Sequence, residues 1–93
     1  MFQSDLFKDK IVLVTGGGSG IGYTIAEKYL ALGATVYIAS RNAEKIEKAV
    51  AELSAIGDVR SAIADIREPE QIQALADHIK ADAGRLDILV NNA

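Results

Sequence analysis

The sequence predicts an α/β fold, a doubly wound parallel sheet with helices on both faces. Three observations predict it. Short apolar runs rich in β-branched residues alternate with segments of helical periodicity, in the order β-α-β-α-β-α-β. The leading run, Ile11-Val12-Leu13-Val14, is continuous rather than alternating, as a parallel strand buried on both faces requires. The runs end in small, polar or charged residues: Thr15-Gly16, Ser40-Arg41, Asp65-Ile66 and Asn91-Asn92. In such sheets ligands sit at the carboxyl ends of the strands.

The elements follow in order. Phe2, Leu6 and Phe7 are expected to pin a polar lead-in to the body of the domain. After the Ile11–Val14 strand and a glycine-rich turn, a helix is expected over Tyr23 to Leu32. Ile25, Tyr29 and Leu32 form its inward stripe, with Ala26 and Leu30 beside it, and Gly33 ends it as a left-handed cap. Thr35-Val36-Tyr37-Ile38-Ala39 has strand composition. Asn42 is placed to cap a helix running to about Ile56, with Ile46, Ala49, Val50 and Leu53 inward and Gly57 as its stop. Val59 to Ala64 is the third strand. Pro69 opens a helix carrying Ile72, Leu75, Ala76 and Ile79, and Gly84 ends it. Leu86 to Val90 is the fourth strand. Right-handed crossovers fix the hand of each unit.

At 93 residues the chain holds at most one small domain, and 49% hydrophobic content provides a real core. The net charge of −3, with both signs interspersed, points away from nucleic-acid and membrane-surface partners. With no cysteine, disulfides and thiolate metal sites are excluded, and no metal site is expected. Met1 to Asp5 lacks a basic start and an apolar core, and no apolar run approaches the roughly 20 residues that span a bilayer. The expected compartment is the cytoplasm.

Five of the seven residues from Gly16 to Gly22 are glycine. A side-chain-free turn between strand and helix presents bare N–H groups and the positive end of a helix dipole to an anion, here a pyrophosphate. The spacing Gly16, Gly20, Gly22 is G-x-x-x-G-x-G, not the G-x-G-x-x-G of many dinucleotide folds. It is not a P-loop either, since no Lys-Ser or Lys-Thr follows. The second strand carries no acid at its end, where one would bond ribose hydroxyls and select NAD. Ser40 and Arg41 stand there instead. A guanidinium holds a 2′-phosphate through paired charge-assisted hydrogen bonds, which implies NADP over NAD. Asn42 can assist, although capping explains it equally. Asp65 has two readings, as acceptor for the adenine amino group or as a cap near the Pro69 helix. Asn91 and Asn92 can hold neighbouring strands or touch the ribose. His78, beside Asp77 and without a histidine or cysteine partner, reads as solvated surface.

Thr15-Gly16-Gly17-Gly18-Ser19-Gly20-Ile21-Gly22, then Asp65-Ile66, then Leu86-Asp87-Ile88-Leu89-Val90-Asn91-Asn92-Ala93 resemble the N-terminal half of a short-chain dehydrogenase/reductase. The resemblance covers essentially the whole chain. It implies a Rossmann-like sheet, truncated, with residues 1–93 as a partial dinucleotide-binding domain and the catalytic C-terminal half absent. It implies that Gly16, Gly18, Ser19, Gly20 and Ile21 line the phosphates and adjoining ribose. Asp65 and Ile66 would flank the adenine, and Asn92 and Ala93 would lie along the adenosine ribose and the middle of the cofactor. The context Ile38-Ala39-Ser40-Arg41-Asn42 is similar to NADP-preferring members, and most like the enoyl- and dienoyl-CoA reductase branch.

The family's catalytic serine and Tyr-x-x-x-Lys pair have no counterpart here. Four residues after Tyr23, Tyr29 and Tyr37 stand Glu27, Gly33 and Arg41, so no catalytic residue is assigned. Hydride transfer also needs a proton donor. The implied function is NADP(H)-dependent oxidation or reduction of a small-molecule substrate, a carbonyl, alcohol or acyl-CoA enoyl thioester, by a homotetrameric parent protein. A non-catalytic dinucleotide-binding module or an inactive fragment is the alternative.

Overall fold

The computed structural model describes residues 6–16, 20–65 and 67–91. The expectations for Phe2, Gly18, Ser19, Ile66, Asn92 and Ala93 lie outside the described residues. The elements are β1 (Ile11–Thr15), α1 (Gly20–Ala31), β2 (Thr35–Ser40), α2 (Ala43–Leu53), β3 (Val59–Ile63), α3 (Pro69–Ala83) and β4 (Ile88–Asn91). The four strands form one sheet in the order β3-β2-β1-β4, and every pairing is parallel. The truncated Rossmann-like architecture expected from the sequence is the one observed.

Alternation along each strand sorts the core into two layers. Val12, Val14, Val36 and Ile38 face α1 and α2, where Ala26, Leu30, Ile46, Ala49 and Leu53 meet them. Ile11, Leu13, Tyr37 and Ala39 face α3 and pack on Leu75 and Ile79. β1 is buried at all five positions, while the outer strands β3 and β4 keep exposed residues such as Ile63 and Leu89.

Several boundaries and faces differ from expectation. α1 begins at Gly20, and its buried residues are Gly22, Ala26 and Leu30. The Ile25, Tyr29 and Leu32 stripe is only half-buried. With Phe7 and Lys28 it lines a shallow groove of about 300 Å³. The physical reason is size: small residues let the helix approach the sheet, and the larger ones turn aside. Phe7 does pin the lead-in, its ring 5.3 Å from Tyr29 in an edge contact, but Leu6 is exposed. α2 stops at Leu53, where the Ser54 hydroxyl donates to the Ala51 carbonyl and the turn tightens. Gly33 and Gly84 adopt the left-handed conformation expected of caps, with φ 96° and 85°. Gly57 lies in the turn beyond α2, where its N–H donates to the Leu53 carbonyl at 3.4 Å and a Cβ would stand in contact with Leu30. β3 ends at Ile63 and β4 begins at Ile88, with Leu86 packed under the sheet.

A polar junction closes the amino-terminal rim of the sheet. The buried Tyr37 hydroxyl donates to Asp82 Oδ2 at 2.6 Å and accepts from Arg60 Nη1 at 3.1 Å. Arg60 also reaches Asp58 through Nε and Nη2 and lies 5.6 Å over the Tyr37 ring. This ties β2, β3 and α3 together.

Candidate nucleotide-binding site

The site is built on the opposite, carboxyl-terminal rim. Gly16 leaves β1 with φ 71°, and its N–H is taken by the Ala39 carbonyl at 2.7 Å, which binds the turn to β2. Gly20 opens α1 with φ 63°, a conformation that penalises any side chain by roughly 1–2 kcal/mol. A Cβ at Gly20 would meet nothing within 4 Å among the described residues. No acid occupies the first turn of α1, so the dipole's positive end is unopposed there. Ile21 stands beside it with 71% of its surface exposed.

Thr15 is fully buried, and its hydroxyl lies 3.0 Å from Asn91 Oδ1 and 3.3 Å from the Val90 carbonyl. Asn91 thus holds β4 to β1, the strand-holding role among its expected ones. At the start of β4, Asp87 accepts the Ile11 N–H at 2.8 Å, fastening the other end of the same pair.

At the end of β2, the Ser40 hydroxyl accepts the Asn42 N–H at 3.1 Å. Asn42 Oδ1 in turn accepts the Lys45 N–H at 3.1 Å, so Asn42 is the N-cap of α2. Arg41 projects into solvent with Nη1 3.8 Å from Asp65 Oδ2. Arg41, Asn42, Ala43 and Glu44 line an open recess of about 580 Å³. Asp65 does not cap α3. The N-cap is Glu68, without a side-chain bond, because the Asp65 carboxylate turns to Arg67 instead. Its Oδ1 accepts the Arg67 N–H and Nε–H, and its Oδ2 accepts Nη2–H at 3.1 Å. The Asp65 N–H donates to Gln71 Oε1 at 2.7 Å.

The structure therefore gathers Gly16, Gly20, Ile21, Arg41, Asn42, Asp65 and Asn91 on one rim. Sequence reasoning passed over Arg67. Its signal was the spacing Asp65-x-Arg67, which lets an aspartate accept the backbone N–H two residues on. His78 is exposed, as expected. Among the described residues no three His, Cys, Asp or Glu side chains are grouped to hold a metal.

Three carboxylates sit below their ordinary range. Hydrogen bonds from Arg67 hold Asp65 at about 2, the Tyr37 hydrogen bond lowers Asp82, and Arg85 lowers Asp87. A folded pKa below the unfolded one stabilises the fold fully above the ordinary carboxylate value, near 4. That contribution disappears as pH falls through the folded values. The melting temperature is expected to be flat near neutrality and to drop between about pH 4 and pH 2. Asp87→Asn should shrink the drop, as pH-dependent thermal melts would show; an unchanged drop would remove Asp87 from this account.

The residues fit a dinucleotide: a bare helix start for the diphosphate and a guanidinium beside the next strand end. Comparison with known proteins identifies the family. The family described as short chain dehydrogenase matches residues 10–93, and the chain belongs to that family. The peroxisomal 2,4-dienoyl-CoA reductase of Danio rerio is 43% identical over the whole chain, which spans 32% of that protein. The chain thus covers about a third of the curated relatives it matches. Among solved structures, the citronellol catabolism dehydrogenase AtuB of Pseudomonas aeruginosa PAO1 superposes with a TM-score of 0.92 at 44% identity. All of this chain and 39% of that one are covered. The Pseudomonas aeruginosa RhlG/NADP active-site complex gives 0.88 at 41% identity, covering all of this chain and 38% of that one. No helix among the described residues is long and apolar enough to cross a membrane.

Proposed function

We propose that these residues form the cofactor-binding half of an NADP(H)-dependent oxidoreductase. The observation that carries the reading is the pairing on one rim of an acid-free helix start with Arg41 at the end of β2. NADPH, when bound, supplies the hydride. The chain's own residues hold and aim it: the turn at Gly16 and Gly20 receives the diphosphate, Ile21 covers an apolar edge, and Arg41 pairs with the 2′-phosphate. Gly18, Ser19, Ile66, Asn92 and Ala93 are assigned to the same cofactor by family resemblance. None of these 93 residues is assigned as the proton donor or its lysine. The substrate is a carbonyl, an alcohol or an enoyl thioester. Similarity to the Danio rerio dienoyl-CoA reductase favours the thioester. The assembly proposed is a homotetramer, as is common in the family. The compartment proposed is the cytoplasm.

The test is a titration of the full-length protein with NADPH and NADH, followed by turnover with a 2,4-dienoyl-CoA and with a simple ketone. NADPH is expected to bind at least about tenfold more tightly than NADH, a difference of about 1.4 kcal/mol. Failure to bind either nucleotide would overturn the reading.

A further inference from the structure

Asp65 Oδ2 is shared by two guanidinium groups, Arg67 Nη2 at 3.1 Å and Arg41 Nη1 at 3.8 Å. Arg41 directly follows β2 and Arg67 lies in the loop between β3 and α3, and the two converge on one oxygen. Their side chains are 62% and 66% exposed, whereas that of Asp65 is 21% exposed. One carboxylate between two guanidiniums leaves one positive charge in excess within this trio, next to a recess whose own lining includes Arg41 and the Glu44 carboxylate.

The two arginines are held differently. Arg67 engages Asp65 side-on, through Nε and Nη2, with its own backbone N–H on the same carboxylate. That fixes the plane of its guanidinium and turns Nη1 away from Asp65. Arg41 lies beyond hydrogen-bonding distance of the carboxylate and keeps its fork for another acceptor.

We propose that Arg67 is a second determinant of NADP over NAD, flanking the 2′-phosphate together with Arg41, and that Asp65 is the residue that positions it. The inference rests on the NADP reading above. A phosphate monoester carries a charge of about −1.5 to −2 near neutral pH, more than one guanidinium neutralises. A lone carboxylate at this spot would repel it. A carboxylate already paired with Arg67 instead orders that guanidinium in advance, so less side-chain freedom is lost when phosphate arrives. Hydrogen bonds from Arg67 keep Asp65 ionised at any physiological pH.

The test compares Arg67→Met, Arg67→Lys and Arg41→Met with the wild type in the full-length protein. Dissociation constants are read for NADPH, NADH and 2′-AMP, the last a probe of the phosphate subsite. Arg67→Met should weaken NADPH and 2′-AMP by about tenfold or more and leave NADH within about twofold. Arg67→Lys should recover part of the loss, since it restores charge without the fork. Unchanged NADH affinity also reports that the variant is folded. The inference falls if Arg67→Met leaves the NADPH/NADH ratio unchanged, or weakens both nucleotides equally, as a purely structural role would. If Arg41→Met shifts the ratio and Arg67→Met does not, only this inference is lost. A wild type without preference for NADPH removes the underlying reading as well.

Discussion

Replacing Arg41 with aspartate is expected to weaken NADPH binding on the order of 100-fold while NADH affinity holds or improves. One close charge pair is worth roughly 4 kcal/mol at an effective dielectric of about 20. The Arg41 side chain is 62% exposed, so screening and desolvation reduce that figure. The substitution also adds a repulsion, because a second carboxylate would then stand beside Asp65. The two changes together justify on the order of 2–3 kcal/mol, or about 100-fold. NADH has no 2′-phosphate, and an acid at this strand end can accept from its ribose hydroxyls. Parallel titrations of the full-length protein decide the matter. Equal losses for the two nucleotides would show that Arg41 supports the site without reading the phosphate.

Ile38→Ala is expected to destabilise the fold by about 2–5 kcal/mol. Ile38 is fully buried at the centre of β2, flanked by β1 and β3 and covered by the layer that contains Ile46, Ala49 and Leu53. Whole domains are stable by only about 5–15 kcal/mol, and a sheet of four strands lies toward the lower end. The variant should therefore unfold at much lower urea, with an unchanged denaturant slope. Ile63→Ala provides the contrast. That side chain is 58% exposed on an outer strand, so its loss should stay within about 0.5 kcal/mol. If the two variants melted alike, burial would not be what ranks these positions.

The order of elements was legible because each one carries its own local period. Gly33 and Gly84 marked real helix stops because a left-handed cap depends on the residue alone. The register of α1 was not legible. Scoring by apolar size favours Ile25 and Tyr29, whereas closeness to the sheet selects Gly22 and Ala26, and only the packed structure weighs the two. Gly57 misled in a similar way. It sits in the turn that follows α2, four residues past the last helical residue, and packs beside Leu30, which is distant in sequence. In the site, the glycine turn and Arg41 were legible because composition and strand position suffice. The bond from Thr15 to Asn91 joins residues 76 apart, and no local spacing encodes it. Arg67 was obscured because Asp65 was weighed as a ligand group by itself, without its neighbour.

The junction of Tyr37, Arg60 and Asp82 lies about four residues upstream of Arg41 along the sheet, roughly 13 Å at strand spacing. Substitutions that far apart, with no shared partner, combine nearly additively. The molecule thus offers an engineer two independent workbenches. Thermal tolerance can be raised at the Tyr37 end while coenzyme preference is rewritten at the Arg41 end, without either change eroding the other.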